Sequence, residues 1–192
     1  VDLLRLDAPR ELQQVALYQL ARAAGGVEGD VATSFRTALD ELIAERASPL
    51  LDELLLLRSY LRLQAGNRDG AQRDAEALLE AYPGSSQRPE ALFLLAYLSW
   101  SAEPPRYRRA ADFLAQVRDV LAPGAEHARI SRLIADCYFL NGDFQTAADA
   151  YAVALDEALP ADTSALWYQR VEALRQAAEL AEAAAALDGF DW

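Results

Sequence analysis

The chain has 192 residues, 53% hydrophobic and 25% charged, a balance that supports a buried core and excludes a disordered chain. Thirty acidic residues against eighteen basic ones give a net charge of −12, which argues against nucleic acid and anionic lipid as partners. Ala and Leu dominate the apolar residues and β-branched residues are sparse, so the fold class reads as all-α.

Every basic residue is Arg and none is Lys, so Schiff-base chemistry through a lysine is excluded. One cysteine, Cys137, allows no intrachain disulfide. The sequence starts at Val1 and contains no Met, which suggests a processed chain or a piece of a longer protein. No apolar run has membrane-spanning length, so direct membrane insertion is not expected.

In chain order, a helical pattern from Glu11 to Ala24 breaks at Gly25-Gly26, and a second runs from about Asp30 to Arg46, before Pro49. This first hairpin, about 8–48, reads as a cap. In the next, 49–84, Leu54 to Leu57 form a short buried turn and Gly66-Asn67-Arg68 supplies the break. Ala71, Ala75, Leu78 and Leu79 mark its second helix, and Tyr82-Pro83-Gly84 stops it.

The third hairpin, 87–123, packs through Leu92, Leu95 and Ala96, and crosses a long Glu103-Pro104-Pro105 connection. In the fourth, 126–160, Ile134, Ala135 and Tyr138 share one face, Asn141-Gly142-Asp143 breaks the helix, and Pro160 ends its partner. Tyr107, Ala110, Ala111, Leu114 and Pro123 match Phe144, Ala147, Ala148, Tyr151 and Pro160, each pair 37 positions apart, which sets a repeat register. The fifth, 162–188, turns Trp167, Val171 and Leu174 inward, continues with Leu180, Ala183, Ala184 and Leu187, and closes at Asp188-Gly189. The expectation is a single array over 1–192 of about five antiparallel helix pairs, because one such hairpin cannot bury its apolar face alone.

With these residues in view, the chain resembles tetratricopeptide-repeat (TPR) proteins, most clearly over Gln87 to Gln176. Tyr82-Pro83-Gly84-Ser85-Ser86 followed by Pro89-Glu90-Ala91-Leu92 is similar to junctions in bacterial cell-envelope TPR scaffolds. The resemblance implies a right-handed α-solenoid acting as a non-enzymatic scaffold for a peptide or protein partner. It implies the periplasm or cell envelope as the location, with the cytoplasm as the alternative.

In such a stack the first helix of each pair lines the concave side. Tyr60, Phe93, Tyr97, Trp100, Phe139 and Tyr168 fall at or near groove-facing positions, with Arg129 and Arg132 about one turn apart on the same side. Rings edged by Arg suit a peptide with apolar anchors and a carboxylate. The Lys-Asn-Arg clamp of repeat domains that bind chaperone tails does not carry over: the groove-facing sites hold Tyr60, Tyr97, Asp136 and Glu172 instead.

No catalytic, cofactor or metal constellation emerges. Cys137 reads as a buried core thiol, and His127, the lone histidine, lies almost three helical turns from it. Asp40-Glu41, Asp52-Glu53, Glu179 and Glu182 read as solvated faces, and Arg106, Arg108 and Arg109 as a solvated helix start. Two other functions compete: an oligomerisation module whose end near Phe190 and Trp192 docks a second copy, and an accessory helical domain of a larger cell-wall enzyme.

Overall fold

The computed structural model of the chain describes residues 4, 9–25, 30–46, 48–158 and 161–188. Gly26, Pro160, Gly189, Phe190 and Trp192, to which the sequence assigned breaks and an end surface, lie outside the described residues. Among the described residues there are ten helices and no strand. They form two compact units, 1–91 and 92–192, with the division falling inside one helix.

The first unit contains α1 (Arg10–Gly25), α2 (Asp30–Ala44), α3 (Leu51–Gln64) and α4 (Arg68–Ala81), each packed on the next. Leu17, Leu39, Leu42, Leu50 and Leu54 interlock in one cluster, which Leu4 completes. Gly66 lets the chain turn after α3 at φ +77°, a left-handed conformation that costs glycine little. Asn67 then caps α4, its side chain accepting a hydrogen bond from the Gly70 N–H at 2.9 Å.

Asp52 and Glu53 correct the sequence reading, whereas Asp40 is exposed as expected. Asp52 is buried rather than solvated: Arg10 reaches it at 3.3 Å, and the Ser85 hydroxyl donates to it at 2.6 Å. Glu53 takes Arg10 at 2.9 Å and the Gln14 amide at 2.7 Å, so these neighbouring acids tie α3 to α1. Asp40 accepts from Arg58 at 2.8 Å. At the centre sits Asp74, its side chain 5% exposed, which accepts Arg58 through two nitrogens at 2.9 and 2.7 Å and Arg62 at 2.8 Å. Such a carboxylate is tolerable in the interior only because two guanidinium groups saturate it.

The second unit holds most of α5 (Arg88–Trp100), then α6 (Tyr107–Arg118), α7 (Ala125–Asn141), α8 (Phe144–Glu157), α9 (Thr163–Gln176) and α10 (Leu180–Asp188). From α6 onward each helix packs on the next. The repeat register reappears as burial: Ala110, Ala111 and Leu114 of α6 and Ala147, Ala148 and Tyr151 of α8 are all 3% exposed or less. Gly142, at φ +83°, closes α7 where the Asn141-Gly142-Asp143 break was expected. Tyr151 and Ala154 join Leu166, Ala173, Leu174, Ala183 and Ala186 in one core running through α8, α9 and α10. Arg106, Arg108 and Arg109 are exposed at the start of α6, whose first turn contains no acid, and the Arg109 guanidinium covers the Phe113 ring at 5.4 Å.

Asp74→Ala removes the buried carboxylate that Arg58 and Arg62 share and leaves them only the exposed Asp40, so stability in urea should fall by about 3 kcal/mol. An unchanged unfolding midpoint would show that water already neutralises these charges.

Candidate functional site

The candidate site is built on the first helices of the second unit. On α5, the buried residues Leu92, Leu94, Leu95 and Leu98 take up the core face. Phe93, Tyr97 and Trp100, spaced four and three residues apart, therefore share the other side. Tyr97 is half exposed. Trp100 is held edge-on to Tyr107 of α6, ring centroids 5.3 Å apart.

Two hollows meet at Trp100. The first, about 230 Å³, is bounded by Phe93, Ala96, Tyr97 and Trp100 of α5, Leu114 of α6 and Leu133 of α7, apolar apart from the phenol and indole edges. The second, about 370 Å³, lies between Trp100, Phe139 and Leu140 of α7, and Tyr168 of α9, which is 72% exposed. Consecutive first helices, α5, α7 and α9, thus supply its aromatic walls. The hollow draws one ring from each of these helices, Trp100, Phe139 and Tyr168, so it needs all three in repeat register.

The floor of the second hollow is polar. Tyr151 of α8 donates its hydroxyl to Asp136 Oδ1 at 2.7 Å, and Gln169 Nε2 approaches the same oxygen at 3.4 Å. Arg132 Nε stands 3.9 Å from Asp136 Oδ2. Burial pushes the Asp136 carboxyl above its ordinary value despite the Tyr151 hydrogen bond and the Arg132 charge. Burial also raises the Tyr151 phenol, and its bond to Asp136 raises it further. Glu172, beside this floor, is gripped by Arg175 at 2.8 and 2.6 Å and by Gln176 at 2.8 Å, which hold its carboxyl down at about 2.

Arg129 and Arg132 border a third hollow of about 270 Å³ with Ala128, Asp162 and Leu166. Both are answered on their own helix. Arg129 forms a two-pronged pair with Glu126, one arm at 3.0 Å, and lies over the Phe93 ring at 5.5 Å. Of the residues the sequence singled out, Phe93, Tyr97 and Trp100 are brought together, and Trp100 meets Phe139 and Tyr168. Tyr60, 39% exposed on α3, belongs to the first unit, where burial and Glu90 raise its phenol. Phe139 is partly core, set edge-on to Phe144 at 5.4 Å.

Sequence reasoning missed the Asp136–Tyr151–Gln169 floor. A signal was present: Tyr151 stands where the preceding repeat has Leu114, and a hydroxyl at a core position needs a partner. It also missed the meeting of Ser131, His127 and Glu157. The Ser131 hydroxyl donates to Glu157 Oε2, and His127 Nδ1 lies 3.2 Å from the same oxygen. A nucleophilic relay needs the serine to donate to the imidazole, with the acid on the other ring nitrogen, whereas here both groups converge on one carboxylate oxygen. The trio ties α7 to the end of α8. Among the described residues no group of three or more His, Cys, Asp and Glu side chains is placed to hold a metal ion, and no helix is long and apolar enough to cross a membrane.

No family model matches the chain, and no curated protein matches it. In solved structures, it is similar to the crystal structure of nearly identical TPR-like repeats assigned to a kinesin light chain of Podosopora anserina. The two share 16% identity and superpose with a TM-score of 0.61 over 90% of this chain and 92% of that one. At this identity the likeness shows the fold: an all-α, TPR-type array of helical hairpins.

Cys137 is fully buried, and burial next to Asp136 pushes its thiol up to about 12. Reaction with a thiol reagent at pH 8 should therefore run roughly a thousandfold slower than with a free cysteine, because the thiolate is the reacting form. Labelling at the free-cysteine rate would place the thiol in an open, electropositive setting.

Proposed function

We propose that this protein is a non-enzymatic protein–protein interaction scaffold, and that the paired hollows around Trp100 hold a peptide segment of its partner. The TPR-type fold supports a binding scaffold in general terms. The observation that carries the specific reading is the shared Trp100: one indole borders both an apolar hollow and an aromatic hollow with a polar floor. Tyr97 and Tyr168 flank it, exposed. Rigid rings add contact area at small entropic cost, which is why Trp and Tyr dominate binding hot spots.

Phe93 and Trp100 would anchor an apolar side chain, Tyr168 would cover the next residue, and Arg129 and Arg132 would border the path. The serine, histidine and cysteine of α7 are engaged in packing and hydrogen bonding, which supports a role without catalysis. An envelope location rests on the Tyr82 to Leu92 junction alone, and fractionation of the source cells would test it.

Selection from a random-peptide display library, followed by titration of the recovered peptides, tests the groove. Tyr168→Ala and Trp100→Ala should each weaken binding by about tenfold or more, with the helical spectrum kept. Tyr18→Ala, an exposed ring in the first unit, should leave binding unchanged. Peptides that bind all three variants like the parent protein would remove the groove from consideration.

A further inference from the structure

We infer that the hollow between Trp100 and Tyr168 receives an arginine side chain of the bound segment, its guanidinium set on Asp136 and its plane against the surrounding rings. This rests on the groove reading above and specifies the chemistry of its occupant.

Asp136 uses Oδ1 for Tyr151 and Gln169, while Oδ2 accepts no hydrogen bond and has only Arg132 at 3.9 Å. The unmet capacity at this floor is therefore acceptor capacity, and an occupant must bring N–H donors. Glu172 lies at the rim with its carboxylate already held by Arg175 and Gln176, which leaves Asp136 as the carboxylate for an occupant, and no Arg lines the hollow.

The walls narrow the choice. Trp100, Phe139 and Tyr168 line it with aromatic rings, whose π systems attract a cation, and a planar guanidinium both stacks on rings and forks toward a carboxylate. An ammonium group offers the charge without the plane, so arginine is favoured over lysine. An acidic occupant would meet Asp136, Glu172 and a chain of net charge −12, while Arg129 is already chelated by Glu126. The inferred occupant thus carries the opposite charge to the carboxylate expected from the sequence. Burial raises the Asp136 carboxyl, as expected of a carboxylate short of compensating charge, and an incoming cation would supply it. The apolar hollow across Trp100 would take a hydrophobic neighbour of that arginine.

The test uses the full chain and peptides selected from a random library for binding that depends on Trp100. These peptides should share an arginine, and its replacement by citrulline, which keeps the shape without the charge, should weaken binding roughly tenfold, with lysine intermediate. Asp136→Asn, which can still accept from Tyr151, should weaken the arginine peptide by a similar factor and leave the citrulline peptide unaffected. Glu172→Gln provides a second variant away from the core. Equal weakening of both peptides by Asp136→Asn, or Trp100-dependent peptides with no basic residue, would overturn the arginine assignment while the groove stands. Failure to recover any Trp100-dependent peptide would remove the groove and the arginine together.

Discussion

Helix crossings made of methyl groups are the constraint on which the second unit depends. Ala110 and Ala147 are fully buried at equivalent points of α6 and α8, four residues after the helix cap in each case, and Ala71 occupies the same point of α4 in the first unit. A side chain this small lets the second helix of a hairpin lie close against the first, so that larger residues on either side interlock. Once α8 is seated on α7, Tyr151 and Ala154 complete a face on which Leu166, Ala173 and Leu174 of α9 settle. No hairpin in this series closes a core by itself. The first helices α5, α7 and α9 fall into a row as a consequence, and the aromatic hollows lie along that row.

Polar groups occupy the places that this packing leaves. Asp74 in the first unit and Asp136 in the second are both drawn away from water, and they differ in how they are compensated. Two guanidinium groups saturate Asp74, which fixes α3 against α4. Asp136 receives a phenol and an amide on one oxygen, while the other has only the longer Arg132 contact at 3.9 Å. Removing one partner of a saturated pair leaves a buried charge behind, whereas the less compensated Asp136 is the carboxylate that the proposed ligand would meet.

The helix pairs were legible because a periodic pattern declares itself without tertiary information. Gly66 and Gly142 need left-handed turns, the apolar residues recur at helical spacing, and the 37-residue register makes one hairpin predict the next. The same period puts Tyr97 and Trp100 beside one hollow, and the repeat puts Tyr168 beside the other hollow that Trp100 borders. The fates of Asp52 and Asp74 did not. Their partners lie on other helices, Arg10 being 42 residues from Asp52, and an acid beside a basic residue in sequence looks the same whether water or a distant guanidinium receives it. The Arg129–Glu126 pair was equally hidden, although Glu126 lies one turn before it on the same helix, because sequence alone does not say which neighbour an exposed guanidinium takes.

Urea unfolding of Ala147→Leu beside Thr146→Leu tests the crossing directly, because the two substitutions are adjacent on α8 and only Ala147 is buried. Ala147→Leu should lose about 1 to 3 kcal/mol as the larger side chain forces α7 and α8 apart, and Thr146→Leu should unfold within about 0.5 kcal/mol of the parent protein. If both variants unfold at the parent's midpoint, α7 and α8 do not depend on a methyl-sized contact and the account of the array is wrong.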